Sequence, residues 1–327
     1  MEYMPPYTTT DEMLGLVSEI AEQLGKISSV NDLEKLPRLR KVSRIKSIHS
    51  SLVIENNSLS LSEVGAILDG KKVLGPPDEI KAVENAFAAY KEAEKADPFN
   101  LQDLLRIHGI MTNGLVAESG RLRTTAEGVF ADSGKLLHIA PPAQMLKELM
   151  ANLFDWLQTS KTHDIIKSCI FHYEFEFIHP FRDGNGRMGR LWQTVILAHW
   201  KPIFAWIPIE TVVLARQQEY YNAIAMSTSS GNCNAFIIFM LSAILDAVQT
   251  IAGDTRNHIA HISIYVQKLL EALTDTPMTA NEIMEKLGIK SKETFRKNYM
   301  SPAIEAGVVA LEFPDKPTSK NQRYYKK

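Results

Sequence analysis

The sequence predicts a mainly α protein: a helical bundle carrying one small β-hairpin, followed by a C-terminal winged-helix domain. Three observations predict this. Apolar residues recur at helical spacing through most of the chain. Residues 120 to 140 lack that period and read as two short runs about a glycine turn. The segment from about 257 onward reads helix, turn, helix and then two strand-like runs, the order of a winged helix. At 327 residues the chain is too long for one ordinary domain, and 45% apolar with 23% charged residues is globular. The expected divisions are an N-terminal helical region over 1–99, a core over 100–255 and the winged helix over 256–327.

Each element has a local reason. Thr10 caps a first helix whose stripe is Met13, Leu14, Val17, Ile20, Ala21 and Leu24. A more basic helix over Leu39 to Leu52 ends at Asn56-Asn57, which suit a turn. Ser60 or Ser62 caps a short helix that stops at Gly70. Gly75-Pro76-Pro77 breaks the chain before helices over Asp78 to Ala96 and Leu101 to Met111. Val129 to Ala131 and Leu136 to Ile139 form the hairpin about Gly134, and Pro141-Pro142 ends it. Helices return over Ala143 to Thr159, Asp164 to Ile178, Gly186 to Trp200, Val212 to Ser227 and Ala235 to Ile251. In the last part, Ile262 to Leu273 is a helix, Thr279 caps a second that stops at Gly288, and Pro302 kinks a third over Ser291 to Ala306. Val308 to Phe313 and Gln322 to Tyr325 supply the wing.

Net charge is −2, which favours no partner class. From Arg256 onward there are 12 Lys and Arg against 8 Asp and Glu, a modest positive field on the tail. The two cysteines, Cys169 and Cys233, read as buried free thiols of a reducing compartment, so a cytoplasmic location is expected. The N-terminal residues do not pattern as a signal peptide, and no run of about 18 uncharged apolar residues occurs, so no membrane span is expected.

The chemistry concentrates between His179 and Arg190. Gly184 and Gly186 flank Asn185 at a helix start, where free N–H groups attract phosphate. Arg187 and Arg190 share a face of that helix near its N-terminus, where the macrodipole disfavours cations. A bound polyanion such as a triphosphate removes that conflict. Asp183 is the lone carboxylate that Mg²⁺ takes beside phosphate oxygens. His179, stopped by Pro180, titrates near neutrality and can accept a proton from an attacking hydroxyl. Together these are the parts of transfer at phosphorus. The string Gly184-x-Gly186-x-x-Gly189 also matches a dinucleotide fingerprint, but a helix precedes it and no βαβ unit surrounds it.

The run His179-Pro-Phe181-x-Asp183-Gly184-Asn185-Gly186-Arg187-x-x-Arg190 resembles the signature of the Fic (filamentation induced by cAMP) family. The resemblance extends over about 100 to 250 and includes the segment 124 to 138, which is similar to the family's target-docking flap. It implies adenylylation: AMP moves from ATP to a protein hydroxyl and pyrophosphate leaves. It implies His179 as general base, Asp183 as Mg²⁺ ligand, Gly184, Asn185 and Gly186 as the phosphate cradle, and Arg187 and Arg190 at the β/γ end. Phe181 would pack the loop on the core. Related Doc-type kinases lack the second glycine, so Gly186 favours AMP over phosphate transfer. Ser51-Leu52-Val53-Ile54-Glu55-Asn56 resembles the family's inhibitory pattern, which implies that Glu55 reaches Arg190 and blocks the γ-phosphate position. In some relatives the same glutamate supports removal of AMP, a second expectation for this site.

The expected partners follow. A target protein would dock on the flap by strand addition, with little sequence preference. The winged helix, with Arg296 and Lys297 as its basic residues, leaves contact with DNA and contact with protein both open. Many members of the family form dimers, so a homodimer is also expected. The competing function is a DNA-binding winged-helix regulator whose nucleotide site is only a sensor; a third reading is transfer from another phosphate donor.

Overall fold

The computed structural model describes residues 3–30, 37–126, 128–130, 136–260, 264–274, 276–305, 307–315, 319 and 321–326. By backbone contacts the chain forms two units, residues 1–22 with 43–248, and residues 23–42 with 249–327.

Helices α1 (Asp11–Val30) and α2 (Pro37–Val53), of which residues 11–22 and 43–53 belong to the first unit, lead into α3 (Leu61–Leu68), α4 (Pro77–Ala93) and α5 (Leu101–Met111). Local chemistry sets their ends. Ser60 and Glu63 form a reciprocal capping box at α3. Asn100 accepts from the Gln102 amide at the start of α5. The hairpin follows as β1 (Gly128–Phe130) and β2 (Leu136–Ile139), antiparallel, with the register shifting between Val129 and Phe130. The expected turn at Asp132 to Lys135 lies outside the described residues.

The centre is the pair α7 (Asp164–Ile178) and α8 (Asn185–Trp200), preceded by α6 (Leu146–Thr159). α7 is buried on nearly every face, from Ile165 and Cys169 to Phe171, Phe175 and Ile178. A helix apolar all round is what a bundle core requires. The helix expected over Val212 to Ser227 is instead two helices, α9 (Ile209–Ala215) and α10 (Gln217–Ser230), separated at Arg216. The guanidinium there ties to Glu219 at 2.8 Å and to Asp246 at 3.1 Å. Asp246 lies on α11 (Asn234–Ala260), whose Asn234–Ala252 stretch has a mean hydropathy of 2.0, enough by length and composition to cross a bilayer. Of that stretch 67% is buried inside the protein, with Phe236, Ile237, Met240, Leu241 and Ile244 in the core.

The second unit contains α12 (Ile264–Ala272), β3 (Met278–Thr279), α13 (Ala280–Lys286), α14 (Lys292–Thr294), α15 (Ser301–Glu305), β4 (Val309–Leu311) and β5 (Arg323–Lys326). Its core gathers Val266, Leu269, Ile283, Phe295, Met300 and Ala303. The sheet has three strands in the order β3-β5-β4, all antiparallel. Sequence reading found only two, because Met278-Thr279 is too short to show alternation. The Pro302 distortion takes a definite form: Phe295–Met300 is a π-helical turn just before α15. A widened turn accommodates the ring and missing N–H of proline.

Candidate active site

α7 ends because His179 adopts a left-handed conformation, φ 49°, while its N–H still bonds to the Phe175 carbonyl at 2.9 Å. The chain then turns through Pro180, and Gly184 (φ 85°) starts α8. The intervening loop is held from three sides. Phe181 is fully buried and its ring stacks on His108 of α5 at 3.6 Å. Asn185 closes the loop on itself: its Oδ1 accepts from the Phe181 N–H at 2.9 Å and its Nδ2 donates to the Phe181 carbonyl at 2.8 Å. Arg123, 2% exposed, donates to the carbonyls of His179, Thr125 and Pro141 at 2.6 to 2.8 Å.

His108 is neutral. Its Nδ1 accepts from the Gly120 N–H at 2.9 Å, so Nε2 carries the proton and donates to the Asp183 carbonyl at 3.0 Å. Burial, ahead of the opposing hydrogen bond to Asp183, brings this imidazole down to about 4.

The two arginines of α8 are compensated in the resting chain. Arg187 donates to Asp183 at 2.9 Å, and Asp183 also accepts from the Gly184 N–H at 2.7 Å. Arg190 is buried and donates to Glu55 at 2.7 Å and to the Ser51 hydroxyl and carbonyl at 3.1 and 3.0 Å. Burial alone would lower this guanidinium's proton affinity; Glu55, Tyr220 and Glu176 outweigh it and raise the affinity further. The cations at this helix start thus face carboxylates: Glu55 meets Arg190 as the sequence pattern implied, and Asp183 meets Arg187.

Ser51 and Glu55 are presented by the end of α2. Ser47 and Ser50 donate to Glu210 and Thr211 at 2.9 and 3.2 Å, and Tyr90 donates to the buried Glu210 at 2.8 Å. Asn56 takes φ 64°, and the Asn57 N–H bonds back to the Leu52 carbonyl at 3.1 Å. That left-handed cap explains why asparagine follows Glu55. Gly186 is needed by close approach: a Cβ there would meet the Glu55 carboxylate and lie 3.0 Å from Arg190 Nη1.

Ser51, Glu55, Asp183, Gly184, Asn185, Gly186, Arg187 and Arg190 thus meet at the start of α8, and His179 ends the helix before it. One changes its contribution: both amide atoms of Asn185 are engaged with Phe181, so it shapes the loop and has only its backbone N–H for an anion. Asp183 stands 54% exposed at the rim. Among the described residues no group of three or more His, Cys, Asp or Glu side chains converges as a metal site. A lone rim carboxylate fits a cation that arrives with its phosphates. Arg123, His108 and Glu176 were missed. Only Glu176 left a signal, as an acid inside the apolar run of α7.

Comparison with known proteins agrees with this geometry. The Fic/DOC family matches residues 98–197, and the C-terminal domain of Fic-like proteins (filamentation induced by cAMP) matches 265–325. The crystal structure of a Fic family protein from Desulfovibrio desulfuricans is 45% identical, covers 99% of this chain and 98% of its own, and superposes with a TM-score of 0.77. The chain belongs to the Fic family. Among curated relatives, it is 27% identical to protein adenylyltransferase fic-1 of Caenorhabditis elegans over 68% of this chain and 44% of that one. It is also 27% identical to protein adenylyltransferase Fic of Nematostella vectensis over 70% and 53%. The chain spans about half the length of the curated relatives it matches.

Proposed function

We propose that this chain is a protein adenylyltransferase held off in cis by Glu55. The observation that carries the reading is the Glu55–Arg190 pair at the start of α8, inside a loop built to receive an anion. The names of the curated relatives support AMP as the transferred group. In the active state the ATP phosphates take the amides of Gly184, Asn185 and Gly186 and the side chains of Arg187 and Arg190. His179 accepts the proton of the target hydroxyl; the oxygen bonds to the α-phosphorus and pyrophosphate leaves. Asp183 would hold Mg²⁺, which when bound neutralises phosphate charge. The strands β1 and β2 would dock the target's main chain.

The deciding experiment incubates wild type, Glu55→Gly and His179→Ala chains with ATP labelled at the α-phosphate and Mg²⁺ in a cell lysate. Strong protein labelling by Glu55→Gly, weak labelling by wild type and none by His179→Ala is the expected pattern. Equal labelling by wild type and Glu55→Gly, or none in any lane, sinks the proposal.

A second reading concerns the C-terminal unit. An open groove of about 510 Å³ there is lined by Lys292, Arg296, Phe295 and Met300, with no carboxylate in its lining among the described residues. That charge favours a polyanion such as DNA. A gel shift that weakens with salt and is lost in Lys292→Glu/Arg296→Glu supports it; no shift at low salt removes it.

A further inference from the structure

Arg123 is 2% exposed, among the largest fully buried side chains of the described residues. Each of its three guanidinium nitrogens has a carbonyl of its own. Nε donates to His179 at 2.8 Å, Nη1 to Thr125 at 2.7 Å and Nη2 to Pro141 at 2.6 Å. Nη2 also reaches the Ile178 carbonyl at 3.4 Å.

Ile178 and His179 close α7, where a helix offers carbonyls without intrahelical partners and favours a cation. Capping that end needs only a point charge. The carbonyls of Thr125 and Pro141 are what a planar fork adds. They stand at the two feet of the hairpin, Thr125 just before β1 and Pro141 just after β2. The sheet of β1 and β2 has no third strand among the described residues. A hairpin of this size is marginal by itself, so its placement comes from its feet.

The same feet are tied to the loop that carries His179. His108 accepts from the Gly120 N–H and donates to the Asp183 carbonyl, and the Arg123 N–H bonds to the Pro180 carbonyl at 2.9 Å. The chain entering the hairpin is thus held at Gly120 and at Arg123. The chain leaving it is held at Pro141, through the guanidinium. One rigid plane therefore sets the spacing of Thr125, Pro141 and His179.

We infer that Arg123 is a positioning residue for the acceptor. It holds both feet of the hairpin against the carbonyl of His179, and so fixes where a main chain added to β1 or β2 presents its hydroxyl to that side chain. This role rests on the transfer reading above; the tie between hairpin and loop does not.

The test separates the hairpin from the loop. Backbone ¹⁵N order parameters are read at the feet, Thr124 to Ala126 and Ile139 to Ala140, with α8 as reference. In Arg123→Lys the feet should lose order while α8 keeps its values. In the Glu55→Gly background the same change should cut AMP labelling of lysate proteins about tenfold or more. Affinity for a non-hydrolysable ATP analogue with Mg²⁺ should not change, because the loop amides and the two arginines of α8 are untouched. Feet of unchanged order overturn the proposal, whether or not the chain transfers AMP. So does labelling that stays at its former rate, or a loss of nucleotide affinity in proportion to the loss of labelling, which places the defect in the loop. Feet that loosen while no chain transfers AMP keep the tie and remove the transfer reading instead. Where Arg123→Lys does not fold, Pro141→Gly decides by the same measurements, since it keeps guanidinium and carbonyl and frees the backbone at one foot.

Discussion

Arg190 and Glu55 meet at 2.7 Å although 135 residues separate them, and the guanidinium is buried while the carboxylate is one-third exposed. Arg190 also donates to the Ser51 hydroxyl and carbonyl at 3.1 and 3.0 Å. In the proposed reading the carboxylate is the replaceable partner, standing in for an anionic oxygen of a nucleotide. A charge-assisted bond of this kind contributes about 1.5–3 kcal/mol, or roughly 10- to 100-fold in a competing equilibrium. Glu55→Gly should raise the rate of AMP transfer by that order, and Glu55→Gln by less, because the amide keeps the shape without the charge. Initial rates with α-labelled ATP check this; equal rates for Gln and wild type would show that charge is not what holds the site closed.

The residue after Glu55 carries a conformational demand. Asn56 sits at φ 64°, where a β-branched side chain is strained. Asn56→Gly should leave the urea midpoint near that of wild type, whereas Asn56→Val should cost about 1–2 kcal/mol. The valine variant should also transfer faster, since the strain falls on the turn that presents the carboxylate. A stable and fully inhibited valine variant would mean that the turn does not set Glu55 in place.

The ends of this site differ in how far the sequence exposed them. The loop from His179 to Arg190 was legible because its glycines, caps and charges act within one turn of each other. Glu55 was legible through a six-residue pattern whose last position the backbone explains. α5 was bounded correctly at Leu101 to Met111, and α7 by the His179-Pro180 stop. What spacing could not reveal were the residues that bind backbone far away: His108 reaches Asp183 across 75 positions and Arg123 reaches His179 across 56. A single histidine or arginine on a helix or loop carries no mark of such a contact. The break at Arg216 was hidden likewise, because Asp246, one of its partners, is 30 residues on.

His108 makes stability depend on pH in a definite direction. Its folded-state value, about 4, lies below the ordinary 6.5, chiefly through burial. The unfolded chain therefore takes up the proton first as pH falls. Its contribution is complete above about pH 6.5 and is lost toward pH 4, on the order of 3 kcal/mol in all. Urea unfolding at pH 7 and pH 4.5 should show a larger drop for wild type than for His108→Asn, which has no proton to gain there. His108→Asn should be less stable at pH 7, because the stack on Phe181 is lost. Equal drops in both chains would show that the imidazole does not stay neutral in the fold.

Arg123 tests whether the loop is held by a charge or by a fork. Its guanidinium reaches carbonyls in different directions, on Thr125, Pro141, His179 and, at 3.4 Å, Ile178, while its own N–H bonds to the Pro180 carbonyl at 2.9 Å. A lysine keeps the charge and the backbone bond but cannot present the same planar set of donors. Arg123→Lys should therefore leave at least one buried carbonyl unpaired, costing about 1–3 kcal/mol. The His179 carbonyl is among them, so the loss should reach the site as well as the fold. In a Glu55→Gly background, Arg123→Lys should lower kcat beyond what the fall in stability explains, measured at a temperature where both chains are fully folded. A lysine variant with unchanged kcat would confine Arg123 to holding the fold together.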